Sequence, residues 1–215
     1  MKKTFRLLLV FGLATIFALN VQAQDEESSS WDMGLDLTST YVWRGVAYSG
    51  PSIQPYVEYS SGIFTVGAWG SQGFDGFQEM DTYASLGFDF GLSLGVTDYY
   101  YPGTQYGDKT SHSFELNGGY EVGAFSLSGN YIFAGEGSVG DDLYFEAGLS
   151  LGKVDLFVGA GDGWHSTDGD FKLCNIGIST SKEVKITDSF SLPVAGSCIW
   201  NPDTEQFYIV GTISF

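Results

Sequence analysis

Eight carboxylates and one arginine fall on a single face of a series of alternating segments: Asp36, Glu58, Asp81, Asp89, Glu115, Glu121, Glu146 and Asp155, with Arg44 among them. Side chains in a strand alternate between two faces, so residues of like parity share one surface. Where that surface lines a passage, carboxylates concentrate cations and repel anions, because a narrow low-dielectric opening focuses the field of the charges along it. Tyr56, Trp69, Tyr83, Tyr99, Tyr144 and Phe157 share the face. Their bulk implies a narrow or gated passage rather than a wide aqueous one. The alternative is a closed interior in which the same groups are hydrated or hydrogen-bonded filling. Arg44 is the sole arginine after residue 23. Its planar fork suits a structural pair with Glu58, or with Glu79 or Asp81, better than contact with a solute.

Other reactive side chains are few. A lipid-modifying enzyme on a barrel wall uses a His and a Ser two positions apart, but His112 is followed at that spacing by Phe114 and His165 by Thr167. No catalytic residue is assigned, and the chain is read as a non-enzyme without a cofactor. His165 shares the segment from Gly163 to Gly169 with Asp168 and is flanked by Asp162 and Asp170. Those groups could hold a divalent cation, but a solvated loop is the preferred reading and no metal site is assigned. Cys174 and Cys198 are the only cysteines. Their midpoint is residue 186, within an expected hairpin connection, so a simple hairpin sets them opposite each other as a disulfide candidate. An oxidising compartment favours the bond; two free, lipid-facing thiols are the alternative.

The elements that must position these groups are short strands. Met33, Leu35, Leu37, Ser39, Tyr41 and Trp43 alternate with Asp36, Thr38, Thr40, Val42 and Arg44, and the period of two returns along the chain. Twelve strands are expected, near 32–44, 52–61, 63–71, 79–90, 92–101, 111–122, 124–134, 142–151, 153–162, 170–181, 189–199 and 205–215. Each has about the 9 to 11 residues that cross a bilayer at a tilt. Even-numbered connections are tight and centred on Gly62, Gly91, Gly123 and Gly152, whereas odd ones are longer and polar. Short turns on one side and long loops on the other are the asymmetry of an antiparallel up-and-down transmembrane β-barrel. The composition agrees, with 17 Phe, 13 Tyr, 5 Trp and 30 Gly against 5 Pro. Tyr41, Trp43, Tyr120, Tyr131 and Phe215 are expected in the two interfacial girdles.

The N-terminus reads as an export signal: Lys2, Lys3 and Arg6, an apolar stretch from Leu7 to Leu19, then Val21-Gln22-Ala23. Residues 1–23 are therefore expected to be cleaved, 24–30 to form a short periplasmic segment and 31–215 to form the barrel. Cleavage removes three basic residues and no acidic one, moving the net charge from −17 to −20. Nucleic acid, which demands clustered Lys and Arg, is excluded as a partner.

From Ser39-Thr40-Tyr41-Val42-Trp43-Arg44-Gly45 onward the chain resembles the TorF-like porin family, also called Gcw_chp. Further matches occur at Pro55, Gly67-Ala68-Trp69-Gly70-Ser71, Glu79-Met80-Asp81-Thr82-Tyr83, Tyr99-Tyr100-Tyr101-Pro102 and Glu115. The resemblance covers roughly residues 33–120, with only the hairpin rhythm persisting beyond, and implies a porin without specifying a substrate. The terminal alternation Phe207, Ile209, Gly211, Ile213, Phe215 resembles the strand that engages the outer-membrane insertion machinery. The expectation is thus a Gram-negative outer-membrane barrel in contact with lipid, a narrow porin or channel for small cationic or neutral solutes. The alternatives are a non-conducting structural or assembly barrel that binds a protein partner and, less favoured, a lipid-modifying enzyme.

Overall fold

The computed structural model describes residues 29–103, 105–135, 141–188 and 190–215. The expected leader, residues 1–23, and most of segment 24–30 lie outside the described residues. The strands are β1 (Ser30–Thr38), β2 (Tyr41–Trp43), β3 (Val46–Ser49), β4 (Ser52–Ser61), β5 (Phe64–Gly73), β6 (Gln78–Gly87) and β7 (Leu92–Tyr100). They continue as β8 (His112–Val122), β9 (Phe125–Gly135), β10 (Asp142–Leu151), β11 (Val154–Gly161), β12 (Lys172–Lys185), β13 (Ser191–Asn201) and β14 (Gln206–Ser214). β1 and β4 to β14 form a closed antiparallel barrel of twelve strands, while β2 and β3 form a separate hairpin. β1 closes the wall between β4 and β14, with Asp36 opposite Ser214 and reciprocal Leu35 and Phe215 backbone bonds of 3.0 and 2.9 Å.

The wall arises from alternation. Outward positions expose Leu37, Val57, Val66, Leu94, Val96, Leu116, Leu127, Leu156, Val158, Ile178 and Ile209, an apolar exterior consistent with an outer-membrane protein. Inside, large rings are accommodated where the neighbouring strand offers no side chain. Tyr56 lies over Gly34, Tyr83 over Gly67, Tyr144 over Gly159 and Phe157 over Gly177, so a Cβ at any of these glycines would collide with the ring. Tight turns use Gly62, Gly91, Gly123 and Gly152 at positive φ, which glycine adopts without steric cost.

Four expectations are corrected. The first strand ends at Thr38 rather than residue 44, because the chain bends at Ser39–Thr40, where Ser39 bonds Gly211 through N–H (2.9 Å) and through Oγ (2.9 Å). Beyond the bend the chain forms the β2–β3 hairpin inside the barrel, not a loop over 45–51. Tyr41 and Trp43 are consequently buried at 8% and 7% exposure and belong to no interfacial girdle. Asp89 lies exposed in the turn after β6 rather than on the inner wall.

The cysteine pairing fails on register. β12 runs to Lys185, so the hairpin centres two residues later than expected and Cys198 faces Ile178. That is four residues from Cys174, about 13 Å at roughly 3.3 Å per residue, and a disulfide tolerates a Cα separation of about 7 Å at most. Cys174 sits buried where the β11–β12 register shifts, its Sγ 3.9 Å from the Gly159 carbonyl, and both cysteines are free.

Candidate functional site

The hairpin that fills the lumen turns at Arg44-Gly45, both at positive φ (49° and 83°). Two such residues between paired strands make the turn whose twist matches a right-handed hairpin. Gly45 is required twice over, since a Cβ would also strike the Cys174 carbonyl of β12. Alternation then divides the hairpin. Tyr41, Trp43 and Tyr48 face a cluster of Trp69, Phe77, Tyr99, Tyr101, Ile132 and Trp164, whereas Val42 faces Ile199 and Val210. Ring centroids lie 5.4 Å apart for Tyr41–Trp69 and 5.6 Å for Trp43–Tyr99.

Arg44 is carried by the turn to the far wall. Its Nη1 and Nη2 donate to Glu115 Oε2 and Oε1 of β8 at 2.6 and 2.8 Å. Tyr99 donates to Glu115 Oε1 at 3.0 Å, and the Asn117 amide donates to the same oxygen. Thr97 and Asn130 in turn fix Asn117, at 2.9 and 3.0 Å. The guanidinium lies over the rings of Trp43 and Tyr144 at 4.3 and 4.5 Å from their centroids. Glu115 is wholly buried. A carboxylate so placed needs both a cation and full hydrogen bonding to offset its lost hydration, and these groups supply both. Asn201 completes the clamp by donating to the Gly45 carbonyl at 3.0 Å.

The expected Arg44 partners are therefore corrected: Glu58 bonds Tyr83 at 3.0 Å, and Arg44 pairs with neither Glu79 nor Asp81 but with Glu115. Asp36 and Asp81 are buried on the inner face, and Glu146 is engaged by Tyr144 and Asn175, the latter at 2.9 Å. Glu58, Glu121 and Asp155 have the same inward parity nearer the turn end and keep more solvent exposure. Asp155 accepts from Ser150 at 2.7 Å.

Sequence reasoning missed the in-folded hairpin and His165. That histidine is not in a solvated loop: it is 2% exposed, packs on Trp43 and Tyr144, and places Nε2 3.5 Å from Arg44 Nη1. Asp162 is occupied by the Leu143 N–H, and Asp168 pairs with Lys172 at 2.6 Å. The signal for the hairpin was present, because Arg44-Gly45 is flanked by Tyr41-Val42-Trp43 and Val46-Ala47-Tyr48. His112 faces outward near the long loops, its Nδ1 2.8 Å from Asp98 and its Nε2 2.7 Å from the Tyr106 carbonyl.

Small cavities lie beside the hairpin and further along the inner wall. One cavity of about 30 Å³ is bounded by Thr38, Tyr41, Gln54, Trp69 and Ile199, and another of about 20 Å³ by Asp155, Ser179 and Ser197. Each has room for about one or two waters. No curated protein matches this chain in sequence. The family described as bacterial protein of unknown function, Gcw_chp, matches residues 23–187, most of the chain, and the protein belongs to that family.

Proposed function

We propose that the protein is a bacterial outer-membrane barrel of the TorF-like porin kind, without enzymatic activity, that acts as a gated narrow channel for small cationic or neutral solutes. Its first loop holds it closed in this conformation. The observation that carries the reading is the nature of the plug: a hairpin outside the wall ladder, clamped at its tip by Arg44 to Glu115 in a lumen lined with carboxylates. An element held by side-chain packing and the Arg44 clamp, outside the hydrogen-bonded wall ladder, can leave without breaking the barrel, whereas a wall strand cannot. The apolar exterior and the alternation of tight turns with longer loops support insertion in lipid with the tight turns on the periplasmic side.

A second reading, a non-conducting structural barrel that binds a protein partner, is favoured by the close packing of the hairpin on the wall, where Tyr41, Val42, Trp43 and Ile199 are buried. Planar-bilayer recording of the refolded chain separates the two. The gated reading expects sparse, brief openings in the unmodified protein and sustained conductance once residues 40–50 are replaced by a short Gly-Ser linker. Silence from both proteins, with the barrel intact by circular dichroism, would favour the structural reading.

A further inference from the structure

A second polar cluster lies beside the hairpin, and the Arg44 clamp does not use it. Ser71 of β5 faces Glu79 of β6 across the ladder, and Trp69 faces Asp81 two residues on. Positions 79 and 81 have the same parity, so both carboxylates join Ser71 on the inner face. All three residues are more than nine-tenths buried, at 4%, 5% and 8% exposure for Ser71, Glu79 and Asp81. Among the described residues, Ser71 Oγ, Glu79 Oε2 and Asp81 Oδ1 have no hydrogen-bond partner. The ion pairs formed among those residues include neither carboxylate. Tyr41 of the hairpin and Tyr101 hydrogen-bond to Glu79 but bring no positive charge.

Two neighbouring carboxylates at this depth cannot both stay ionised without a counter-charge. The free serine oxygen is a third donor on the same surface, and it has no reason to be buried unpaired. We infer that Ser71, Glu79 and Asp81 form a binding site for a hard divalent cation of the calcium class, seated between the in-folded hairpin and the β5–β6 wall. Two carboxylates match a double positive charge. An all-oxygen donor set excludes the softer metals that select sulfur or imidazole, and calcium accepts irregular oxygen shells completed by water where magnesium demands a near-ideal octahedron. All three donors belong to the β5–β6 wall, so occupancy braces that wall behind the hairpin, whose Tyr41 bonds Glu79. This site goes beyond the channel reading and holds whether or not the barrel conducts.

Terbium provides the probe, since Trp69 and Tyr41 lie close enough to sensitise its luminescence. The refolded full chain in detergent should give saturable sensitised emission that calcium displaces, and calcium should raise its melting temperature. Glu79→Gln and Asp81→Asn should weaken terbium binding by about tenfold or more, at least the loss seen when even the partners of a metal ligand are removed. Ser71→Ala should weaken it less, and it guards against a variant that fails only by misfolding. Emission unchanged in all three variants would place the ion on surface carboxylates and overturn the site. Displacement by sodium at equal concentration would overturn the divalent assignment. Absence of emission, with an infrared band of a protonated carboxyl that Asp81→Asn abolishes, would show that the pair shares a proton instead.

Discussion

Arg44 and Glu115 are seventy-one positions apart in the chain and share two charge-assisted hydrogen bonds in the barrel interior. Removing one partner leaves the other buried and uncompensated. Arg44→Ala or Glu115→Gln should therefore destabilise the refolded protein by about 3–5 kcal/mol, read from its urea midpoint. Replacing the pair together, Arg44→Met with Glu115→Leu, should recover part of that loss, because a packed apolar pair carries no desolvation cost while Tyr99 and Asn117 lose their Glu115 acceptor. A double variant no more stable than the singles would show that the loss comes from the Tyr99 and Asn117 donors left without an acceptor rather than from an uncompensated charge. Arg44→Lys is not conservative here, since an ammonium cannot reproduce the bidentate fork. At Cys174 and Cys198 the expected outcome is alkylation of both after unfolding and no bridged peptide under non-reducing conditions.

On the gated-channel reading closure depends on the hairpin, whose turn takes positive φ at Arg44 and Gly45. Gly45→Ala puts a side chain at φ 83° against the Cys174 carbonyl. The conformational term alone costs about 1–2 kcal/mol. The expected result is a lowered melting temperature together with more frequent channel openings; unchanged openings with lowered stability would separate the turn from the gate. A second element, the segment between β11 and β12, is tied to the β13–β14 connection. Lys172 reaches both Asp168 (2.6 Å) and Asp203 (2.9 Å), and Asp203 also accepts the Thr167 N–H at 2.7 Å. Hydrogen bonds from Lys172 are the main cause holding both carboxyls below their ordinary values. A depressed carboxylate adds stability above its unfolded pKa, about 3.9, and loses it as the pH falls through the lower folded value. Amide exchange in 162–171, taken relative to its intrinsic rate at each pH, should thus stay constant down to about pH 4 and rise below it. Lys172→Ala should flatten that dependence, and a rise beginning near neutrality would point to a different group.

At the scale of the whole molecule, an apolar exterior surrounds an acidic interior filled at one end by the chain's own loop. Asp36 and the more exposed Glu58 and Asp155 remain on the inner wall below the hairpin. Charges within a Debye length of roughly 8–10 Å of a passing ion are only partly screened, so a barrel with its hairpin shortened should prefer cations. Its reversal potential in a potassium chloride gradient should lie toward the potassium equilibrium potential, and Asp36→Asn with Glu58→Gln should reduce the shift. A value toward the chloride potential would sink the acidic-pore reading.

Twelve strands, their tight glycine turns and the inward parity of Asp36, Glu115 and Glu146 were legible in the sequence, because a period of two is a local property that neighbouring residues report without reference to the rest of the chain. The direction taken at Ser39–Thr40 was not. Tyr41 and Trp43 continue the alternation of Leu35 and Leu37, and periodicity cannot distinguish one long wall strand from a strand followed by a hairpin folded into the lumen. The same limit applies to Arg44, whose partner was chosen by which wall its turn reaches, and to Cys174 and Cys198, whose separation was fixed by where β12 ends and where its register shifts. The sequence determined the faces of the strands. Only the closed barrel decided what lay opposite what, since that depends on contacts between residues far apart in the chain.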